Sequence, residues 1–117
     1  MSVAIVMAIG PELPGLFVSA IDLGVARAHE RLGREAPLVE RAMGAPLLVL
    51  DDLGAEQLTA LSAVGDVIHK RHAGMMPTII STGFAEQGIA ARYGDGIARR
   101  VFEGAVVIRV GASRGAR

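Results

Sequence analysis

The 117 residues contain no cysteine, so disulfides, thiolate catalysis and cysteine-ligated zinc are all excluded. Tryptophan is also absent, and the aromatics are Phe17, Phe84, Phe102 and Tyr93, so a core has to be built from Val, Ile, Leu, Ala and Met. Net charge is missing too. Twelve basic and twelve acidic residues cancel, which removes whole-molecule attraction to nucleic acid or to an anionic membrane and leaves only local patches for such contacts. No apolar run approaches the ~18 residues a membrane span needs, and the apolar start Ser2–Ile9 lacks the basic region and cleavage site of a signal peptide. A soluble protein of the reducing cytoplasm is the expectation.

What is present is apolar and punctuated. Half of the chain is hydrophobic, enough for one core in a single domain, residues 1–117, with residues 111–117 small and basic enough to fray. Leu16–Ala20, Leu47–Leu50, Thr78–Ser81 and Ala105–Ile108 are short continuous apolar runs bounded by Gly or Pro, which predicts four parallel strands covered on both faces. Between the first two, Asp22 is a candidate cap for a helix ending at Gly33, and Pro37 opens a second helix that Gly44 closes. Leu58, Leu61, Val64, Val67 and Ile68 recur at three or four residues, an apolar stripe on a helix stopped by Gly74 and Pro77. Glu86–Tyr93 and Asp95–Phe102 are two further short helices; in Ser2–Ile9, Val3, Ile5, Val6 and Ile9 fit a buried strand almost as well as a helix, and a helix is preferred. Strands alternating with helices imply right-handed crossovers and a doubly wound α/β sheet.

The sharpest chemical signal is Leu47-Leu48-Val49-Leu50-Asp51-Asp52-Leu53-Gly54. A buried strand that runs into two acids sets them at the carboxyl edge of the sheet, where open α/β folds bind ligands. There Asp51 is suited to hold the water shell of a nucleotide-bound magnesium ion, and Asp52 to orient or deprotonate an attacking water. The plainer reading is that both acids open a turn that Gly54 bends.

This run is the Walker B pattern. With Val67-Ile68-His69-Lys70-Arg71-His72, Met76–Gly83, Arg92-Tyr93-Gly94 and Ile97–Gly104 it resembles the DnaC/IstB-like AAA+ ATPases, which include helicase loaders and the ATPase partners of transposases. The resemblance spans about Gly15 to Gly111. It implies a partial P-loop NTPase fold of the three-layer α/β, AAA+ type, Mg-ATP as cofactor, and action in DNA replication or recombination as a homo-oligomer with a replicative helicase or transposase. It also implies a sensor role for Thr82, between the acids and the γ-phosphate, although Gly83 stands where many members carry Asn. Arg100 falls where members carry an arginine finger that reaches a neighbouring subunit's γ-phosphate. Thr82 as a strand-to-helix turn residue and Arg100 as a solvated helix arginine are the plainer readings.

One part is missing from the sequence. A P-loop is Gly-x-x-x-x-Gly-Lys-Ser/Thr after a first strand, and no such segment occurs in the 117 residues. The resemblance puts Ser2–Ile9 at the helix that follows this loop, with Ser2 at the place of its terminal Ser/Thr and so a candidate nucleotide contact. The same comparison removes the strand between those ending near Ser81 and Ile108. Two unpaired edges, marginal stability and weak or absent ATP binding by this chain alone follow as expectations. The rival is a non-catalytic interaction domain derived from such an ATPase; a response-regulator-like domain is a weaker third, lacking the lysine that the last strand would need at Arg109.

Three remaining features have plain readings. His69-Lys70-Arg71-His72 suits the negative end of a helix, with a DNA contact as its alternative. His69 and His72 have no third ligand at metal spacing, and Met75 and Met76 are read as core filler.

Overall fold

A computed structural model describes residues 15–103 and 105–108. Three strands form one parallel sheet in the order β1 (Gly15–Ser19), β2 (Leu47–Leu53), β3 (Thr78–Thr82). Two helices, α1 (Ala20–Ala28) and α2 (Pro37–Gly44), connect β1 to β2, and α3 (Leu61–Ala73) connects β2 to β3 after a short 3-10 turn at Leu58–Ala60. Two short helices follow, α4 (Glu86–Tyr93) and α5 (Asp95–Phe102). The predicted helix at Ser2–Ile9, Ser2 itself, Arg109 and the tail at residues 111–117 lie outside the described residues.

Period-two alternation decides where the core sits. Val18, Leu48 and Leu50 point to one face and are buried with Leu23 of α1, Val39 of α2 and Val64, Val67 and Ile68 of α3. At roughly 1.5–3 kcal/mol for each fully buried aliphatic side chain, this layer is the main source of stability. The other face carries the aligned row Phe17, Val49 and Ile79, and there Phe17 is 69% exposed while Val49 and Ile79 are half-buried. Coverage of both faces, expected from continuous apolarity, is therefore not found: among the described residues only the face toward α1, α2 and α3 is closed.

The fourth predicted strand is a second correction. Ala105–Ile108 has no strand conformation, and Val106, Val107 and Ile108 are exposed at 89%, 52% and 65%. Strand conformation is held by a neighbour's ladder, and among the described residues this run pairs with none of the three strands.

Helix ends show where local chemistry was misjudged. Ser19, not Asp22, caps α1: its hydroxyl accepts from the Asp22 amide at 3.0 Å. That helix stops at Ala28, and Gly33, with φ +84°, serves a turn farther on. Pro37 opens α2 as expected, and α4 and α5 have the predicted bounds. Leu58, at 69% exposure, drops out of the α3 stripe because it lies in the 3-10 turn. The end of α3 is a Schellman motif, with Met76 N donating to Arg71 O at 2.9 Å and Met75 N to His72 O at 3.0 Å. Met75 occupies its left-handed position (φ +53°), which turns the side chain outward to 89% exposure; it is not core filler, whereas Met76 is half-buried.

Arg71 overturns the surface reading of the basic cluster. Its side chain is 1% exposed. The guanidinium donates to Ala42 O (2.9 Å) and Ala45 O (2.7 Å) at the end of α2, to Pro77 O (2.7 Å), and through Nε to Thr78 Oγ1 (2.8 Å). It satisfies another helix's orphan carbonyls at the amino end of the sheet and is unavailable to DNA. Burial lowers its pKa.

Candidate functional site

Asp51 and Asp52 come together with Ser81 at the carboxyl ends of β2 and β3. Leu50 pairs with Ile80 and Leu53 with Thr82, so Asp51 and Asp52 oppose the single residue Ser81 in a β-bulge. Asp52 takes φ +61°, a left-handed conformation rare for anything but Gly, Asn or Asp. A bulge with a left-handed residue breaks the alternation of the strand and sends both carboxylates to its end.

The buried Ser81 hydroxyl fixes this turn. It donates to Asp51 Oδ1 at 2.6 Å and accepts from the Asp52 amide at 2.8 Å, so one oxygen sets the orientation of the first acid and the backbone of the second. Thr82 is engaged differently. Its hydroxyl donates to Leu53 O at 2.6 Å and accepts from Phe84 N at 3.1 Å, which ties β3 to the loop after the acids and shapes the turn into α4. Of the two hydroxyls, Ser81 touches the acid pair and Thr82 does not.

The loop after the acids is clamped from three sides. Gly54 has φ +103°, and a Cβ there would overlap the Phe84 ring, so glycine is required twice over. Glu56, 3% exposed, accepts from the Gly54 amide at 3.1 Å and from the Tyr93 hydroxyl at 2.5 Å, while Arg92 donates to the Glu56 carbonyl and stands over the Tyr93 ring. Burial, and then the bond to Glu56, raise the Tyr93 pKa well above its ordinary value. Arg92 and Tyr93 entered the sequence reading only as part of the family resemblance, and Glu56 and its contact with them did not enter it. The only signal this cluster offers is an acid four residues beyond the Asp pair and a Tyr after an Arg, and neither predicts burial.

Arg100 stands apart. It is half-buried on α5, its guanidinium lies back over Gly96 one turn earlier, and it is in none of the ion pairs among the described residues, Arg27–Glu35, Arg27–Asp66 and His72–Glu103. Lys70 is the one lysine in the sequence. It sits near the end of α3, which leads into the start of β3, so it lies at the opposite edge of the sheet from the acids. No group of three or more His, Asp or Glu is placed to hold a metal ion directly among the described residues. Nor, among them, is any helix long and apolar enough to cross a membrane.

The donors can nonetheless be judged against a magnesium nucleotide. Two hard carboxylates, one oriented by a hydroxyl, match a hydrated magnesium ion, which is bound by one or two carboxylates plus water and phosphate oxygens. The phosphate side does not fit, because neither a glycine-rich amide cradle nor a lysine stands beside the acids among the described residues.

No family model and no curated protein sequence matches this chain. Among solved structures, AMPPCP-bound DnaA from Aquifex aeolicus resembles it with a TM-score of 0.61 over 83% of the chain at 20% identity. The chain spans 31% of the length of that DnaA chain. The likeness establishes the fold, a partial P-loop NTPase fold of the AAA+ type built on a three-stranded parallel sheet.

Proposed function

We propose that this chain is the acid-bearing part of an ATP-hydrolysing AAA+ module of the DnaC/IstB-like kind, which remodels a replicative helicase or a transposase on DNA. The observation that carries the reading is the Ser81-braced bulge holding Asp51 and Asp52 at the carboxyl edge of a parallel sheet. In this reading Asp51 holds the water shell of magnesium and Asp52 orients or deprotonates the attacking water. Ser81 and Thr82 form the polar edge facing the γ-phosphate, and Arg100 acts across a subunit interface, which requires a homo-oligomer. Bound magnesium would supply charge neutralisation at the phosphates; the chain's own residues place the water and accept its proton. DNA contact, where it occurs, falls to exposed groups such as His69 and Lys70, since Arg71 is buried.

The missing phosphate cradle supports weak or no ATP binding by the 117 residues alone. Calorimetric titration with Mg-ATP is expected to give no micromolar binding; micromolar affinity abolished by Asp51→Ala would show that this chain holds nucleotide unaided. The second reading is a non-catalytic interaction domain that retains the family's partner surface. Sequencing the DNA upstream of Met1 separates the two: a Gly-x-x-x-x-Gly-Lys-Ser/Thr segment there supports the ATPase, and its absence supports the interaction domain.

A further inference from the structure

Arg71, Ser81 and Glu56 are the polar side chains buried among the described residues. Arg71 closes the amino end of the sheet and Ser81 braces the acids, which leaves Glu56 without a part in the proposed chemistry. Burying a carboxylate is costly unless its oxygens are bonded. Glu56 is in none of the ion pairs among the described residues and divides its oxygens between two elements: Oε1 accepts from the Gly54 amide at 3.1 Å, and Oε2 from the Tyr93 hydroxyl at 2.5 Å. Gly54 lies two residues beyond Asp52, and Tyr93 is the last residue of α4. One side chain thus joins the acid turn to the end of a helix 37 residues away in sequence.

The Tyr93 end of this link is the corner of a helix pair. Gly94, with φ +96°, ends α4 and begins α5: its amide donates to Ala90 O at 2.8 Å, and its carbonyl accepts from Ala98 N at 3.1 Å. The two helices also pack on each other, so the corner follows both, and Arg100 belongs to the second. A contact of different chemistry backs the carboxylate. The Phe84 ring stands against Gly54 and against Gly88 of α4, so closely that a Cβ would fall 2.2 Å from it at Gly54 and 2.8 Å at Gly88. An apolar wedge and a buried carboxylate together hold the acid turn to α4, with Arg92 on the Glu56 carbonyl as a third tie.

We propose that Glu56 is a positioning residue: through Tyr93 it makes the place of the α4–α5 corner set the acid turn, so that a shift of α5 at a subunit contact through Arg100 reaches Asp51 and Asp52. Coupling between separated groups is borne by contiguous hydrogen-bonded and packed contacts, and the path here is short. It runs from the corner through the Tyr93 hydroxyl and the Glu56 carboxylate to the Gly54 amide. The role given to the acids rests on the ATPase reading, whereas the tether itself rests on geometry alone.

Tyr93→Phe removes one hydroxyl at the corner and touches neither acid, which makes it the sharper variant beside Glu56→Ala. In the full polypeptide that the gene encodes, each is expected to lower ATP turnover by about 10-fold or more, within the ~10²-fold that a 1 Å misplacement costs, with the KM for Mg-ATP unchanged. Neither should lower turnover further when added to Asp52→Asn, because both act through that acid. Turnover per folded molecule that is unchanged in both variants, where Asp52→Asn does lower it, would overturn the proposal and leave the ATPase reading standing. Losses that simply add to that of Asp52→Asn would overturn it too. A native polypeptide without turnover sinks the ATPase reading instead, and nuclear magnetic resonance of the same polypeptide then decides the tether. Tyr93→Phe should shift the amide resonances of Gly54 and Asp52; resonances that stay in place would overturn the link.

Discussion

The two ends of the same sheet are built on opposite principles. At the amino end, Arg71 is almost wholly buried and spends its guanidinium on Ala42, Ala45, Pro77 and Thr78, so polar groups there are matched, and the left-handed Met75 is the ordinary end of a Schellman motif. At the carboxyl end, Asp52 is left-handed, β2 is bulged, one serine braces the Asp51 carboxylate and the Asp52 amide, and no cation pairs with either acid among the described residues. Matched polar groups hold a fold together; strain and unpaired charge at a strand end persist where a site uses them. The contrast is the physical argument for placing function at Asp51 and Asp52 and not at the denser basic cluster around Arg71.

The largest effect should come from the amino end. Arg71→Ala strands the Ala42 and Ala45 carbonyls and leaves a cavity, and is expected to cost about 3–5 kcal/mol in chemical denaturation, the range for breaking a buried charged network. A cost below about 1 kcal/mol, the scale of a surface contact, would mean that Arg71 is not the staple described.

Next is the loop after the acids. Gly54→Ala meets both a disallowed φ and the Phe84 ring, and is expected to destabilise by about 2–4 kcal/mol. Adding Phe84→Ala should recover the steric part and leave the backbone part. Strict additivity of the two substitutions would break the claimed contact.

A smaller effect of opposite sign is expected at Asp52. Glycine accepts φ +61° without penalty, so Asp52→Gly should stabilise the fold by about 1 kcal/mol, net of the extra freedom glycine gains when unfolded. If that variant is instead destabilised, the carboxyl end is not strained and the comparison between the two ends fails.

Much of the fold was legible in the sequence because periodicity reports burial. Continuous apolar runs located β1, β2 and β3, Pro37 located the start of α2, and the three-four spacing of Val64, Val67 and Ile68 located the face of α3. What was not legible depends on partners distant in sequence. Ala105–Ile108 looks like a strand, yet a strand exists only beside another, and the composition of a run says nothing of its neighbour. Arg71 reads as one charge in a basic cluster, because the carbonyls that receive it lie 26 and 29 residues earlier in sequence. At the site, the acids were visible as an abrupt end to an apolar run. Which hydroxyl would meet them was not, since a bulge that opposes two residues to one shifts the register between Ser81 and Thr82. The Glu56–Tyr93 contact spans 37 residues and leaves no local trace.

The central proposal is that Asp52 works on water at a phosphoryl-transfer site. It is tested most directly by ATP turnover in the full polypeptide that the gene encodes, comparing the native sequence with Asp52→Asn. The account predicts that turnover falls by about 10²-fold or more, the scale of a lost general base, with nucleotide affinity retained. Unchanged turnover in Asp52→Asn, in a chain that binds and hydrolyses ATP, would contradict it.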